Sequence, residues 1–231
     1  EQIFLEEELD KLDIDIDSDY ATKEFNKLLT QLVQRRYTVH DGKLVRCATI
    51  PSPKAKCGEL FTFDDFFVCS ETQQKEQVEN YPKNPETYNA LADLCKEVIE
   101  PVIDYFGMLK LTYGFCSQEL SKKIPKGIAP KLDQHCGYEL NRLKKPICSR
   151  LGIAADFIIE DENMLEVALW IAENLKFDRL YFYGTNRPIH VSIGPENTRQ
   201  VTLMQPGETG KLIPKTFSKL EKFISFAKDE I

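Results

Sequence analysis

Apolar positions recur along this chain with two spacings, one suited to helices and one to strands. From Ala21 to Arg36, the residues Phe25, Leu28, Leu29, Leu32 and Val33 follow the i, i+3, i+4, i+7, i+8 stripe of an amphipathic helix. Two short alternating segments then flank Asp41-Gly42, the signal of a compact hairpin. Phe61-Thr-Phe-Asp-Asp-Phe-Phe-Val is an aromatic segment that must be largely buried. A long helix is predicted over 84–106, with Leu91, Leu94, Val98, Ile99, Val102 and Phe106 on one face. Pro101 removes one backbone donor from it, so a kink or break is expected near Glu97. Strands are predicted at 110–113, 152–159, 179–183, 188–193 and 200–204, with helices over 163–175 and 215–231. Helices mixed with consecutive late strands indicate an α+β fold, a mainly antiparallel sheet flanked by helices.

Composition narrows the classes. Of 231 residues, 42% are apolar, including 14 Phe and 9 Tyr, which is enough for a substantial core and excludes disordered and fibrous classes. No apolar run reaches the ~18 residues of a membrane span. The net charge of −7 argues against nucleic acid as the main partner. Seven Cys with no C-x-x-C pair read as reduced, mostly buried thiols. The acidic opening Glu-Gln-Ile-Phe-Leu-Glu-Glu-Glu is unlike a signal peptide, so a cytoplasmic protein is expected, read as part of a larger chain or complex. Pro51-Ser-Pro53 is the best boundary; residues 1–52 are expected to be a helix-and-hairpin appendage, 53–205 the main domain and 206–231 a C-terminal helix.

Three His occur, at 40, 135 and 190. His40 lies beside the hairpin turn and is given no role. Strand alternation points His190 the same way as Ser192 and opposite to Ile189 and Val191. Asp156 interrupts the apolar run Gly152-Ile-Ala-Ala-Asp-Phe-Ile-Ile, where an unpaired carboxylate costs several kcal/mol. Asp156 therefore needs a cation. Two imidazoles and a carboxylate, with a fourth position left to water, are the ligand set of a catalytic zinc. The same residues also fit a plainer reading: Asp156 paired with an Arg or Lys, His190 a hydrogen-bonded sheet residue and His135 a loop residue.

Longer segments bear on that choice. They are Phe61-Thr-Phe-Asp-Asp-Phe-Phe-Val-Cys-Ser, Leu111-Thr-Tyr-Gly-Phe-Cys-Ser-Gln-Glu-Leu, Gln134-His135, Gly152-Ile-Ala-Ala-Asp156, Phe177-Asp-Arg-Leu and Ile189-His-Val-Ser. From about Phe61 to Gln200 this ordered series resembles the D-Ala-D-Ala carboxypeptidase and phage endolysin group of zinc metallopeptidases, whose fold is shared with the hedgehog signalling domain. In that family the corresponding pieces read FTLxEFxxS, ITSGYRSxxLN, QH, GxAxD, FDQLI and WVHVS. The resemblance implies that His135, Asp156 and His190 bind zinc. It places Cys116, Ser117, Tyr183 and Ser192 on the substrate side, facing a peptide-like or small-molecule substrate.

Three departures accompany the resemblance. Residues 136–151 are inserted between the first His and the Asp, carrying Arg142, Lys144, Lys145 and Arg150 against Glu139; they read as a lid, a specificity element or a partner contact. The family's substrate-binding Arg is Cys116, and a thiol does not replace a guanidinium as a charged donor. Its general base falls at Tyr183, a poor base at neutral pH. Asp133, Glu139, Glu160 and Asp161 are the candidate substitutes. The expectation is a zinc-dependent amide or peptide hydrolase-like domain with altered catalytic residues. The alternative is a catalytically degenerate zinc-binding interaction module of a larger cytoplasmic protein.

Overall fold

The structure is a computed structural model that describes residues 38–40, 43–45, 50–124, 129–207 and 211–230. The predicted helix over 21–36 lies outside the described residues. The chain divides into two compact units, Glu1–Thr49 and Ile50–Ile231. In the first, β1 (Thr38–His40) pairs antiparallel with β2 (Lys43–Val45), His40 opposite Lys43, as the Asp41-Gly42 signal predicts.

The second unit begins with a small hairpin, β3 (Lys56–Cys57) with β4 (Phe61–Thr62), which runs into α1 (Phe63–Val68). A capping box between Thr62 and Asp65 starts this helix, and Phe63, Phe66 and Phe67 are buried. The rings of Phe63 and Phe67 meet Tyr88 and Phe115 edge-to-face, at centroid distances of 5.1–5.9 Å. Next come α2 (Glu71–Glu76) and α3 (Pro85–Leu94), the latter opened by Asn84, whose side chain accepts from the Glu86 amide, and by Pro85 in the first turn. The expected irregularity before Pro101 is a π-helical stretch, Cys95–Ile99, after which α4 (Glu100–Phe106) continues. Widening the turn accommodates the missing amide while keeping Leu91, Leu94, Val98, Ile99 and Val102 all buried.

The remaining elements are β5 (Lys110–Tyr113), α5 (Gln118–Ser121), β6 (Ile153–Ile158), α6 (Met164–Asn174), β7 (Arg179–Phe182), β8 (Ile189–Ile193), β9 (Gln200–Pro206), β10 (Leu212–Thr216) and α7 (Leu220–Glu230). One open sheet of six strands has the order β10-β9-β7-β8-β6-β5. Every neighbouring pair is antiparallel except β7 with β9. Among the described residues no helix is long and apolar enough to cross a membrane. The six free cysteines that the described residues include are buried or half-buried, as expected of reduced thiols.

The last strand departs from the sequence reading, which assigns 215–231 to a helix. Residues 212–216 instead pair with β9, and the helix starts at Leu220. Pro214 suggests a break, yet an edge strand can lack an amide on its outer side, and β10 is such an edge. The helix that follows buries Phe223 and Ala227 in the common core, and Lys228 pairs with Glu173 at 2.6 Å.

Alternation gives the sheet two unlike faces. Ile153, Ala155, Phe157, Leu180, Ile189, Val191, Val201 and Leu203 join the core under the helices. The opposite face carries a transverse row in register across all six strands: Thr216, Thr202, Tyr181, His190, Asp156 and Tyr113. The described residues between α5 and β6, none of them helical, lie over that face. The chain rejoins the sheet at Gly152, which has φ +83° and passes so close to β8 that an added Cβ would lie 1.9 Å from the Ile193 carbonyl oxygen. Gly152→Ala is therefore expected to lower the urea unfolding midpoint, by about 2 kcal/mol or more in stability; an unchanged midpoint would mean that the close approach costs nothing.

Candidate metal centre

The row explains why Asp156 and His190 meet. They sit directly opposite each other on β6 and β8, and Asp156 Oδ1 lies 2.8 Å from His190 Nδ1. A register irregularity in β5 between Leu111 and Tyr113 lies beside Asp156, whose partner on that side is Tyr113. Tyr181, opposite His190 on β7, stacks on its imidazole with centroids 4.6 Å apart and planes at 15°.

The third group comes from outside the sheet, and the backbone brackets it. His135 Nδ1 donates to the Gly114 carbonyl at 2.7 Å, and the Cys116 amide donates to the His135 carbonyl at 2.9 Å. Gly114 is needed there because an added Cβ would lie 2.3 Å from the Phe66 carbonyl oxygen. The buried Asn80 holds this segment, donating to the Phe67 and Phe115 carbonyls and accepting from the Ser117 amide. Gln134 adds a second tie: its amide nitrogen donates to the Leu151 carbonyl at 2.6 Å, and its amide oxygen accepts from the Ser192 hydroxyl at 2.7 Å.

His135 Nε2 consequently faces Asp156 Oδ1 at 3.1 Å and His190 Nδ1 at 3.2 Å. Both imidazoles are about 1% exposed, and the Asp156 side chain is 18% exposed. With its other nitrogen donating to a carbonyl, neutral His135 presents a lone pair to two further lone-pair atoms, an arrangement that demands a cation or shared protons. The separations are close to the roughly 3.3 Å between ligands of a tetrahedral ion with bonds of about 2.0–2.1 Å. A ligand His whose second nitrogen is fixed by a backbone carbonyl is also the usual outer-shell pattern. His190 Nε2, by contrast, is buried without a hydrogen-bond partner among the described residues. The group His135, Asp156 and His190 can hold a metal ion, and it is the one such cluster of three among the described residues.

Without an ion, protons take over the attraction. Burial opposes the His135 charge, but the carboxylate of Asp156, the hydrogen bond to it, Asp133 and the Gly114 carbonyl outweigh burial and raise the imidazole to about 9. Asp156 is held well below the usual carboxylate range: burial works against its charge, and the two imidazoles overcome it.

Above the group opens a cavity of about 310 Å³, lined by Asp133, Arg150, Tyr181, Tyr183 and the outward residues of β9 and β10. Of the expected substrate-side residues, Tyr183 is in this wall. Burial first, then the charge of Asp156, push its phenol well above its ordinary value, so it stays protonated. Ser192 is not in the wall; it is fully buried, bonding Gln134 and accepting from the Arg179 amide. Cys116 and Ser117 line a separate cavity of about 130 Å³, with Cys136 and Glu139. The Ser117 hydroxyl accepts from the Leu120 amide as the N-cap of α5, and burial pushes the Cys116 thiol up to about 12. Among the four candidate bases, Asp133 alone lines the cavity over the metal group. Glu139 accepts from the amides of Lys83 and Asn84 instead, and Glu160 and Asp161 lie at the exposed turn after β6.

Sequence reasoning passed over Tyr181, the ties that Gln134 makes and the placement of Arg150. Tyr181 had a signal, since it lies two residues before Tyr183 on one strand and shares its face. The other two depend on contacts between segments distant in the chain. Comparison with family models, with curated proteins and with solved structures found no match.

Two outcomes test the centre. Wild-type protein is expected to retain about one equivalent of divalent metal by elemental analysis, whereas His190→Ala retains none; stoichiometric metal in the variant would remove His190 from the ligand set. In chelated protein, the stabilisation from charged His135 is complete below its unfolded value of about 6.5 and lost as pH rises through about 9. The melting temperature of chelated wild type should accordingly fall more between pH 6.5 and 9.5 than that of chelated His135→Gln.

Proposed function

We propose that this chain contains a zinc-dependent amide or peptide hydrolase-like domain, of the fold shared by D-Ala-D-Ala peptidases and the hedgehog signalling domain, with a rebuilt set of catalytic residues. The observation that carries the reading is the convergence of His135 Nε2, His190 Nδ1 and Asp156 Oδ1 within 2.8–3.2 Å of one another under a cavity. Three N and O ligands, with no fourth protein ligand among the described residues, suit a catalytic zinc, since structural zinc sites are normally closed by four. A zinc ion held there supplies Lewis-acid polarisation of a carbonyl and activation of water near neutral pH.

The chain's own groups do the rest. Asp133, fixed by the amides of Ala129 and His135 at 2.5 and 3.3 Å, is the carboxylate placed to take a proton in this cavity. It stands in for the acid that the family carries where this chain has Tyr183. Tyr183, kept protonated, donates a hydrogen bond to oxygen that gains negative charge. Tyr181 holds the His190 ring in place by stacking.

One observation favours the second reading, a catalytically degenerate zinc-binding interaction module of a larger cytoplasmic protein. Where the family has its substrate Arg, Cys116 is a neutral thiol in the other cavity.

Chelator-sensitive hydrolysis of acyl-dipeptide substrates by the zinc-loaded protein separates the two readings. Asp133→Asn is expected to keep its zinc and lose about 10²- to 10⁴-fold in kcat, the range for removing a general base. Zinc-loaded wild type without turnover would leave the interaction module, and unchanged kcat in the variant would remove Asp133 from its role.

A further inference from the structure

Among the described residues, the cavity above the metal group has one Lys or Arg in its lining, Arg150, beside the carboxylates Asp133 and Asp156. It comes from the inserted stretch 136–151, whose other cations, Arg142, Lys144 and Lys145, are exposed. Arg150 is half-buried, and no Asp or Glu of the described residues pairs with it. A guanidinium turned into a cavity without a carboxylate of its own is a charge provided for something else.

Its geometry narrows what that is. Nη1 donates to the Leu132 carbonyl and, at 3.4 Å, to the Tyr181 hydroxyl. Both contacts use one nitrogen. Nε and Nη2, the two N–H groups along one edge of the fork, have no acceptor among the described residues. Two parallel N–H groups match the two oxygens of a carboxylate. The Arg150 backbone is also fixed in relation to the metal ligands. Its neighbour Leu151 accepts from Gln134, the residue before His135; Gln134 in turn accepts from Ser192, two residues after His190; and Gly152 leads into the strand that bears Asp156. An anchor held on such ties loses little freedom when a ligand arrives.

We propose that Arg150 is the anion-binding residue of this site and that the molecule the cavity takes carries a free carboxylate. A singly charged carboxylate is favoured over phosphate because Asp133 lines the same cavity and opposes a second negative charge. The substrate assignment rests on the hydrolase reading, whereas the anion site itself does not.

Calorimetric titration of the purified protein, zinc-loaded and chelated, with N-acetylglycine, N-acetylglycinamide and inorganic phosphate tests the assignment. Wild type should bind the acid and not the amide, with phosphate weaker than the acid. Arg150→Gln should bind the acid at least about tenfold more weakly at unchanged zinc content, as expected for losing a charge-assisted pair. Arg150→Lys, which keeps the charge without the fork, should fall between the two and serves if the Gln variant does not fold. Wild-type affinity in Arg150→Gln, equal binding of acid and amide, tighter binding of phosphate, or no binding of the acid would each overturn the proposal. Acid-over-amide discrimination in protein that takes up no zinc when zinc is supplied, or that has no hydrolytic activity when zinc-loaded, would defeat the hydrolase reading and leave the Arg150 site standing.

Discussion

Three candidate ligand atoms share one point on the face of the sheet turned away from the core, and many of the contacts around them keep them there. His135 Nε2, His190 Nδ1 and Asp156 Oδ1 repel unless a proton or a metal ion lies between them, and the low-dielectric surroundings strengthen whichever interaction prevails. Two of the three come from adjacent strands in direct register, so ladder hydrogen bonds set their separation. The third comes from an irregular segment that has no ladder of its own. That segment is held instead by specific bonds: the Gly114 carbonyl on the ring, the Cys116 amide on the main chain and the Asp133 carboxylate on the His135 amide. Precision at one ligand is built from separate contacts, two of them made by main-chain groups and one by the Asp133 side chain.

The parts legible in the sequence are those governed by local periodicity or by a charge in the wrong place. The Asp41-Gly42 hairpin, the burial of the aromatic segment 61–68 (though not its helical form), the break before Pro101 and the strands carrying Asp156 and His190 all follow from spacing within a few residues. Asp156 stands out because an apolar strand has no reason to carry it. The misread strand 212–216 shows the limit of that logic: Pro214 breaks a strand only where its missing amide matters, and edge position is a property of the whole sheet. Ser192 shares a face with His190, as alternation requires, but its hydroxyl is spent on Gln134 and the Arg179 amide. Alternation yields a face and says nothing about which neighbour claims a side chain.

The inserted stretch 136–151 illustrates how non-local placement escapes a linear reading. Its four cations look alike in the chain, yet three are exposed and one reaches the metal group's cavity. The difference lies in the last two residues of the stretch and the glycine that follows, where Leu151 and Gly152 both adopt positive φ and turn the chain down onto the sheet. Cys116, standing where the resemblance implies an Arg, opens toward a different cavity altogether. Charge lost from one wall of the site and charge present on another are separate facts of the fold, joined only in three dimensions.

Pro214 has a reach beyond its own strand. It occupies the outermost position of the sheet, and its ring also forms part of the wall of the large cavity. An exposed border of unpaired amides and carbonyls invites a foreign chain to dock by extending the ladder, and a proline interrupts that template. The border beside the cavity is therefore a poorer template for strand addition, which favours recognition by the side chains of the wall over main-chain pairing.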